Sequence, residues 1–334
     1  MALALVIAYA MASPLPHLAP IFAWLLTMEP KKPLGFKGLL VLIPVTALTT
    51  GTGLLMIPLL SDYPATAILV VLIALFFSTY LSVSLGQVTV GMLLTIGITL
   101  ISAVGTVSFV AAIGVINGFL MAIVISISSQ WLVYPLFPED PVSLEPPAEQ
   151  VGNEYALWIS VRTTLIVIPV YLLCLTNPLM YTALILKSVS LGQQSTVGDT
   201  KAAAKVLLGS TLMGGVLAIL FWFALKLNVS LWMFFLWMLL IGIGVAAKIY
   251  GLRASKYSVD FWSTALVTML ILLGPAVADS ANGKDVYQAF AVRMSLLFAV
   301  AIYAWITVLA LDQLRVRLRR GSSSLSATSA TING

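Results

Sequence analysis

The apolar residues of this chain are gathered into long runs, punctuated by proline, glycine and cations. Crossing a bilayer core of about 30 Å takes about 20 residues of helix, and candidate runs fall into two sets of six. The first set covers residues 2–13, 15–28, 37–60, 65–84, 88–105 and 108–134; the second covers 156–176, 178–192, 200–225, 229–249, 259–279 and 286–311. The pattern predicts an all-α integral membrane protein of about twelve transmembrane helices. Residues 1–134 form one six-helix unit and residues 156–311 another. Between them, residues 135–155 carry Pro135, Pro138, Pro141, Pro146 and Pro147 among Glu139, Asp140, Glu145, Glu149 and Glu154, which reads as an acidic, extended linker. Residues 312–334 run from a basic stretch, Arg315 to Arg320, into a Ser-rich tail that composition marks as disordered.

The two units repeat one another. Sliding the second over the first by 164 positions brings Pro14 onto Pro178, Leu15 onto Leu179, Thr46 onto Ser210, Leu48 onto Leu212 and Gly51 onto Gly215. In each unit an X-Pro-Leu breaks the chain after the first run, a short second run follows, then a cationic loop, then a long third run. Fixed self-similarity marks a duplicated unit. An even number of crossings per unit makes the repeats parallel, related by an axis along the membrane normal, with the natural pathway at their seam.

Cations set the orientation, because Lys and Arg in short loops stay cytoplasmic. With both termini cytoplasmic, all of the 17 cations except Lys226, Lys284 and Arg293 lie at cytoplasmic loops or helix ends, among them Lys31, Lys32, Lys37, Lys201, Lys205, Lys248, Arg253 and Lys256. Ala10-Met11-Ala12 before Ser13 imitates a secretory cleavage site, yet Met1 to Ala4 lacks the positive n-region of a signal peptide.

Composition agrees with lipid as the solvent. The chain is 60% apolar and 9% charged, where a soluble domain holds about 45–50% and about 25%. The net charge of +5 is then a topology signal, with no nucleic-acid partner implied. Cys174 and His17, each the single residue of its type, exclude a disulfide framework, a Cys cluster and zinc or haem sites. Neither a nucleophile–base pair nor a Walker loop is present, so the chain is read as no enzyme, without cofactor, and not ATP-driven.

Two stretches resemble the fusaric acid resistance (FUSC-like) family of bacterial inner-membrane exporters, which includes aromatic carboxylic acid efflux proteins. The first is Pro178 to Leu220, where Ser190-Leu191-Gly192-Gln193-Gln194, a cationic loop and Leu207-Leu208-Gly209-Ser210-Thr211-Leu212-Met213-Gly214-Gly215 are similar to the family's short span, polar loop and Gly-Thr signature. The second is Pro14 to Leu60, with Leu15-Pro16-His17-Leu18-Ala19-Pro20 and Thr50-Gly51-Thr52-Gly53. Two features depart from the family. The large cytoplasmic domains of its bigger exporters are missing here, and the Arg before the Gly-Thr stretch is Lys205 in one unit and Val41 in the other. The resemblance implies a minimal branch that exports small organic anions, aromatic acids among them, driven by protons. It also implies a periplasmic membrane-fusion adaptor and an outer-membrane channel as partners. Plant malate channels of the same superfamily use six spans per subunit in a dimer, an arrangement two halves of one chain would mimic.

Candidate chemistry is sparse. Arg293, several residues inside the last run, is expected to bind a substrate carboxylate with its planar fork or to pair structurally with Asp279 or Asp285. Lys187 and Arg162 serve either as an anion entry or as positive-inside anchors. Asp279, Asp260 and His17 are the candidates for proton coupling, against solvated end caps for the carboxylates and a plain hydrogen-bonding role for the histidine. Thr95, Thr99, Ser102 and Thr106 share one helical face, which lines a substrate path or glues helices together. The leading expectation is a secondary exporter of small organic anions. An organic-anion channel and a non-transporting membrane scaffold are the alternatives.

Overall fold

A computed structural model describes residues 1–28, 33–137, 153–193, 205–283 and 285–332. Among these the chain is helical and contains no strand. The helices are α1 (Ala2–Ala10), α2 (Leu18–Thr27), α3 (Phe36–Asp62), α4 (Pro64–Ser84), α5, α6 (Phe109–Val133), α7 (Asn153–Thr176), α8 (Pro178–Gln193), α9, α10 (Leu231–Ile249), α11 (Val259–Ala281) and α12 (Val286–Ile332). Helix α5 joins Val88–Ile96, a π-helical turn Gly97–Ile101 and Ser102–Val107, while α9 begins with the π-helical turn Lys205–Gly209 and continues as Ser210–Leu227.

Local chemistry fixes many of these ends. Pro64 opens α4 at its first turn, where a missing N–H costs nothing. Ser108, Ser230 and Ser258 cap α6, α10 and α11 by accepting from the amides of Ala111, Met233 and Phe261. Within α3, Thr46, Thr49 and Thr50 donate to the carbonyls of Leu42, Val45 and Thr46 at 2.6–2.8 Å. In hydrocarbon such back-bonding satisfies hydroxyls that water cannot reach.

Nine helices among the described residues are long and apolar enough to cross a membrane, so the chain is a multi-pass membrane protein. Of the twelve apolar runs, nine meet that length and composition among the described residues. Over the described residues, helices α1, α2 and α8 have 9, 10 and 16 residues, about 14, 15 and 24 Å at 1.5 Å per residue, against a core of about 30 Å. Apolar character continues through Met11 to Pro16, but Pro14 and Pro16 cannot sustain a helical ladder there. At the other end of the chain, the apolar part of α12 stops at Leu311 and the helix runs on to Ile332 through the basic and Ser-rich stretch. That stretch holds no proline, and Gly321 is its single glycine before Gly334.

Helices α5 and α11 are the most deeply buried spans, whereas α3 and α10 present most of their surface outward. Packing follows a regular scheme. Helix α3 packs on α5 and α9 on α11; α2 packs on α6 and α8 on α12; α1 packs on α10 and α4 on α7. Contacts of α2 with α11 and of α8 with α5 complete the centre. The α3–α5 crossing is close because Gly97 lies directly against the Thr49 carbonyl and the Thr50 Cα, with Gly53 against the Gly97 carbonyl. Small residues let helix backbones approach in this way. Of the Pro-rich linker expected over residues 135–155, residues 138–152 lie outside the described residues, while residues 153–155 already belong to α7; Lys31, Lys32, Lys201 and Lys284 also lie outside the described residues.

Candidate functional site

Helix α2 lies antiparallel along α11. Near one end Trp24 Nε1 donates to Ser263 Oγ at 3.0 Å, and Ser263 Oγ lies 2.9 Å from the Met28 sulfur. Toward the other end the His17 ring sits on Gly274, where any Cβ would overlap it. Between these contacts, α2, α5 and α11 enclose a cavity of about 580 Å³. Its walls are mostly apolar, with Ile21, Phe22, Phe119, Leu186, Val267 and Ile271 among them, and Phe22 meets Phe119 edge-on at 5.9 Å. Its polar positions are Gln87, Thr89, Ser263 and Thr264. They gather at the starts of α5 and α11, where Gly86 and Gln87 are exposed and form the mouth. A volume of this size, with a few convergent polar groups, suits a small molecule.

Lys187 lies behind this cavity, next in sequence to the lining residue Leu186. Its side chain is fully buried, and Nζ donates to Thr268 Oγ1 at 2.7 Å. Thr268 spends its own proton on the Thr264 carbonyl at 2.6 Å, so it serves Lys187 purely as an acceptor. Thr268 is thus one helical turn from the lining residue Thr264 and adjacent to the lining residue Val267. Among the described residues no carboxylate forms an ion pair with Lys187, and two of its three N–H groups have no protein acceptor. Holding an ammonium away from water costs several kcal/mol unless an anion compensates it.

The other residues marked in the sequence are distributed differently. Arg293 forms an ion pair with Asp279, and their side chains are 15% and 9% exposed. That pair joins α12 to the far end of α11, away from the cavity mouth. Asp260 is exposed in the first turn of α11. Arg162 is buried on α7 and is not among the cavity residues. Thr95 and Thr99 are buried but do not reach the cavity. Thr95 donates to the Gly91 carbonyl at 2.8 Å and shares a 3.0 Å bond with Ser78 of α4, while Thr99 donates to the Thr95 carbonyl at 2.7 Å. Ser102 on the same face bonds the Tyr171 hydroxyl of α7 at 3.1 Å. Thr95 and Ser102 of this face therefore bond to neighbouring helices, whereas Thr99 and the exposed Thr106 donate to carbonyls of α5 itself.

The cavity brings together residues that sequence reasoning did not single out: Phe22, Gln87, Phe119, Ser263 and Thr264. They come from α2, α5, α6 and α11, and no short spacing connects them. Residues 1–133 are similar to a family described as "Protein of unknown function (DUF2955)". The matched segment ends with α6, at Val133. No curated protein matches the chain, and no solved structure does either.

Proposed function

We propose that this chain is a secondary transporter of the bacterial inner membrane that exports small organic anions, aromatic acids among them. The observation that carries the reading is Lys187, a fully buried cation beside an apolar cavity, whose one protein partner among the described residues is a neutral hydroxyl. An anionic ligand supplies the charge that the protein leaves out, and the apolar walls accept its ring. Arg293, whose charge Asp279 already balances, becomes a structural residue in this reading.

In the same reading the chain has twelve membrane-inserted helices in two parallel six-helix units, with both termini cytoplasmic. Support comes from the packing scheme, in which each pairing within helices α1–α6 recurs six labels later: α3 on α5 as α9 on α11, α2 on α6 as α8 on α12. The pairing between units recurs likewise, α1 on α10 and α7 on α4. In this reading the polar end of the cavity faces the cytosol, supported by the cations at the same end of the bundle: Lys248 in the last turn of α10, and Arg253 and Lys256 in the α10–α11 loop. Export is proton-driven, with an adaptor of the membrane-fusion type and an outer-membrane channel completing the route, as the FUSC-like resemblance implies. Of the three proton-coupling candidates, His17 is the one held at the α2–α11 contact.

The test is benzoate flux into inside-out vesicles or proteoliposomes, with and without an imposed proton gradient. Folded Lys187→Gln is expected to transport at least tenfold more slowly than the wild type. Wild-type flux in Lys187→Gln would refute the reading. Flux that ignores the gradient and only dissipates a substrate gradient would convert it to a channel.

A further inference from the structure

Building on the organic-anion reading, we infer that the cavity between α2, α5 and α11 selects anions that carry one charge and rejects dianions of the same shape. Among the described residues, none that lines the cavity is charged. Among the described residues the cation next to it is Lys187, one residue from the lining residue Leu186 on α8 and bonded to Thr268, one turn from the lining residue Thr264. Two further cations within the helical bundle among the described residues are committed elsewhere. Arg293 is paired with Asp279, 15 positions further along α11 than Thr264 (279 − 264), and Arg162 has its own partner and does not line the cavity.

The polar and apolar positions are separated along one axis. Thr89 on α5 and Thr264 on α11 mark one end, while Ile96 and Ile271, each seven positions later (96 − 89 and 271 − 264), mark the other. Seven residues advance a helix by about 10 Å, enough for a single ring and its carboxylate. A molecule of that size can place one carboxylate at the polar end, one helical turn from the level of Thr268 at which the cation Lys187 stands. A second carboxylate on the far side of the ring would be pressed against Phe22, Phe119 and Ile271 with neither a hydrogen bond nor a counter-charge. Burying an ion in that way is strongly unfavourable.

Benzoate and terephthalate test this directly, since they share a ring and differ by one carboxylate, both ionised near neutral pH. Initial rates are compared in proteoliposomes of the full chain, with empty liposomes subtracted. Terephthalate is expected to move at least tenfold more slowly and to compete at least tenfold less well. Gln87→Lys adds a cation at the exposed mouth, away from the packed interior, and is expected to narrow that gap severalfold. Equal rates for the two anions, or faster terephthalate, would overturn the single-charge inference while leaving anion export standing. An unchanged ratio in Gln87→Lys would also overturn it, because the cavity would not be where charge is counted. If neither anion moves in wild type, the export reading itself falls.

Discussion

Replacing Arg293 with alanine removes the guanidinium that faces Asp279, and the structure says what this costs. The two side chains are 15% and 9% exposed, so most of the pair is out of water. Breaking a buried pair from one side costs about 3–5 kcal/mol. The residual exposure of both partners puts this pair near about 3 kcal/mol, since some solvent still reaches the carboxylate left behind. That is roughly two decades in the folded-to-unfolded ratio. Unfolding in detergent, followed by tryptophan fluorescence against heat or a denaturing surfactant, should show the loss directly. The companion variant carries Arg293→Met together with Asp279→Leu, which removes both charges and keeps apolar bulk. It is expected to recover stability to within about 1 kcal/mol of wild type and to recover transport with it. Arg293→Ala with a wild-type midpoint but no transport would refute the structural assignment. So would a stable double variant that fails to move substrate, because Arg293 would then be touching the ligand.

Two further predictions concern close helix contacts. A Cβ added at Gly53 would overlap the Gly97 carbonyl oxygen and the Ile101 Cβ, neither of which can swing aside; Gly53→Ala should therefore push α3 from α5 and cost about 1–3 kcal/mol, read as a lowered unfolding midpoint. At Gly274 the added Cβ would meet the His17 ring and, at 2.6 Å, the His17 Cβ; Gly274→Ala should destabilise by a similar amount, and His17→Ala in the same chain should restore only part of the loss, because it keeps that Cβ. A neutral Gly274→Ala would mean that α2 does not sit on α11 as described.

Helix positions were legible because lipid makes hydropathy the dominant signal. The run 37–60 corresponds to Phe36–Asp62 and the run 65–84 to Pro64–Ser84. The lengths of α1 and α2 were not legible, because an apolar count passes through Met11 to Pro16 without registering the backbone hydrogen bonds that Pro14 and Pro16 disrupt. Lys187 was visible as a cation within an apolar run, but its burial depends on Thr268, 81 positions away, and no local pattern reports that. The threonine stripe of α5 shows the converse. Its helical period was plain, yet whether such a face meets water or protein is decided by its neighbours, here Ser78 and Tyr171.

The short helices bear on both the topology and the site. A helix pair that dips into the membrane and returns leaves the following helix on the same side as a pair that crosses twice. The shortness of α1 and α2 therefore does not alter the cation-based argument for the side on which α3 begins. What it changes is the space beside α11. Helix α2 ends at Thr27, and among the described residues Met28, Gln87 and Ser263 line the cavity at that end. Helix α8 is six residues longer (16 − 10), about 9 Å of helix. An α2 of that length, continued past Thr27, would run across the mouth. The early end of α2 thus leaves Met28, Gln87 and Ser263 at the polar end of the cavity among the described residues.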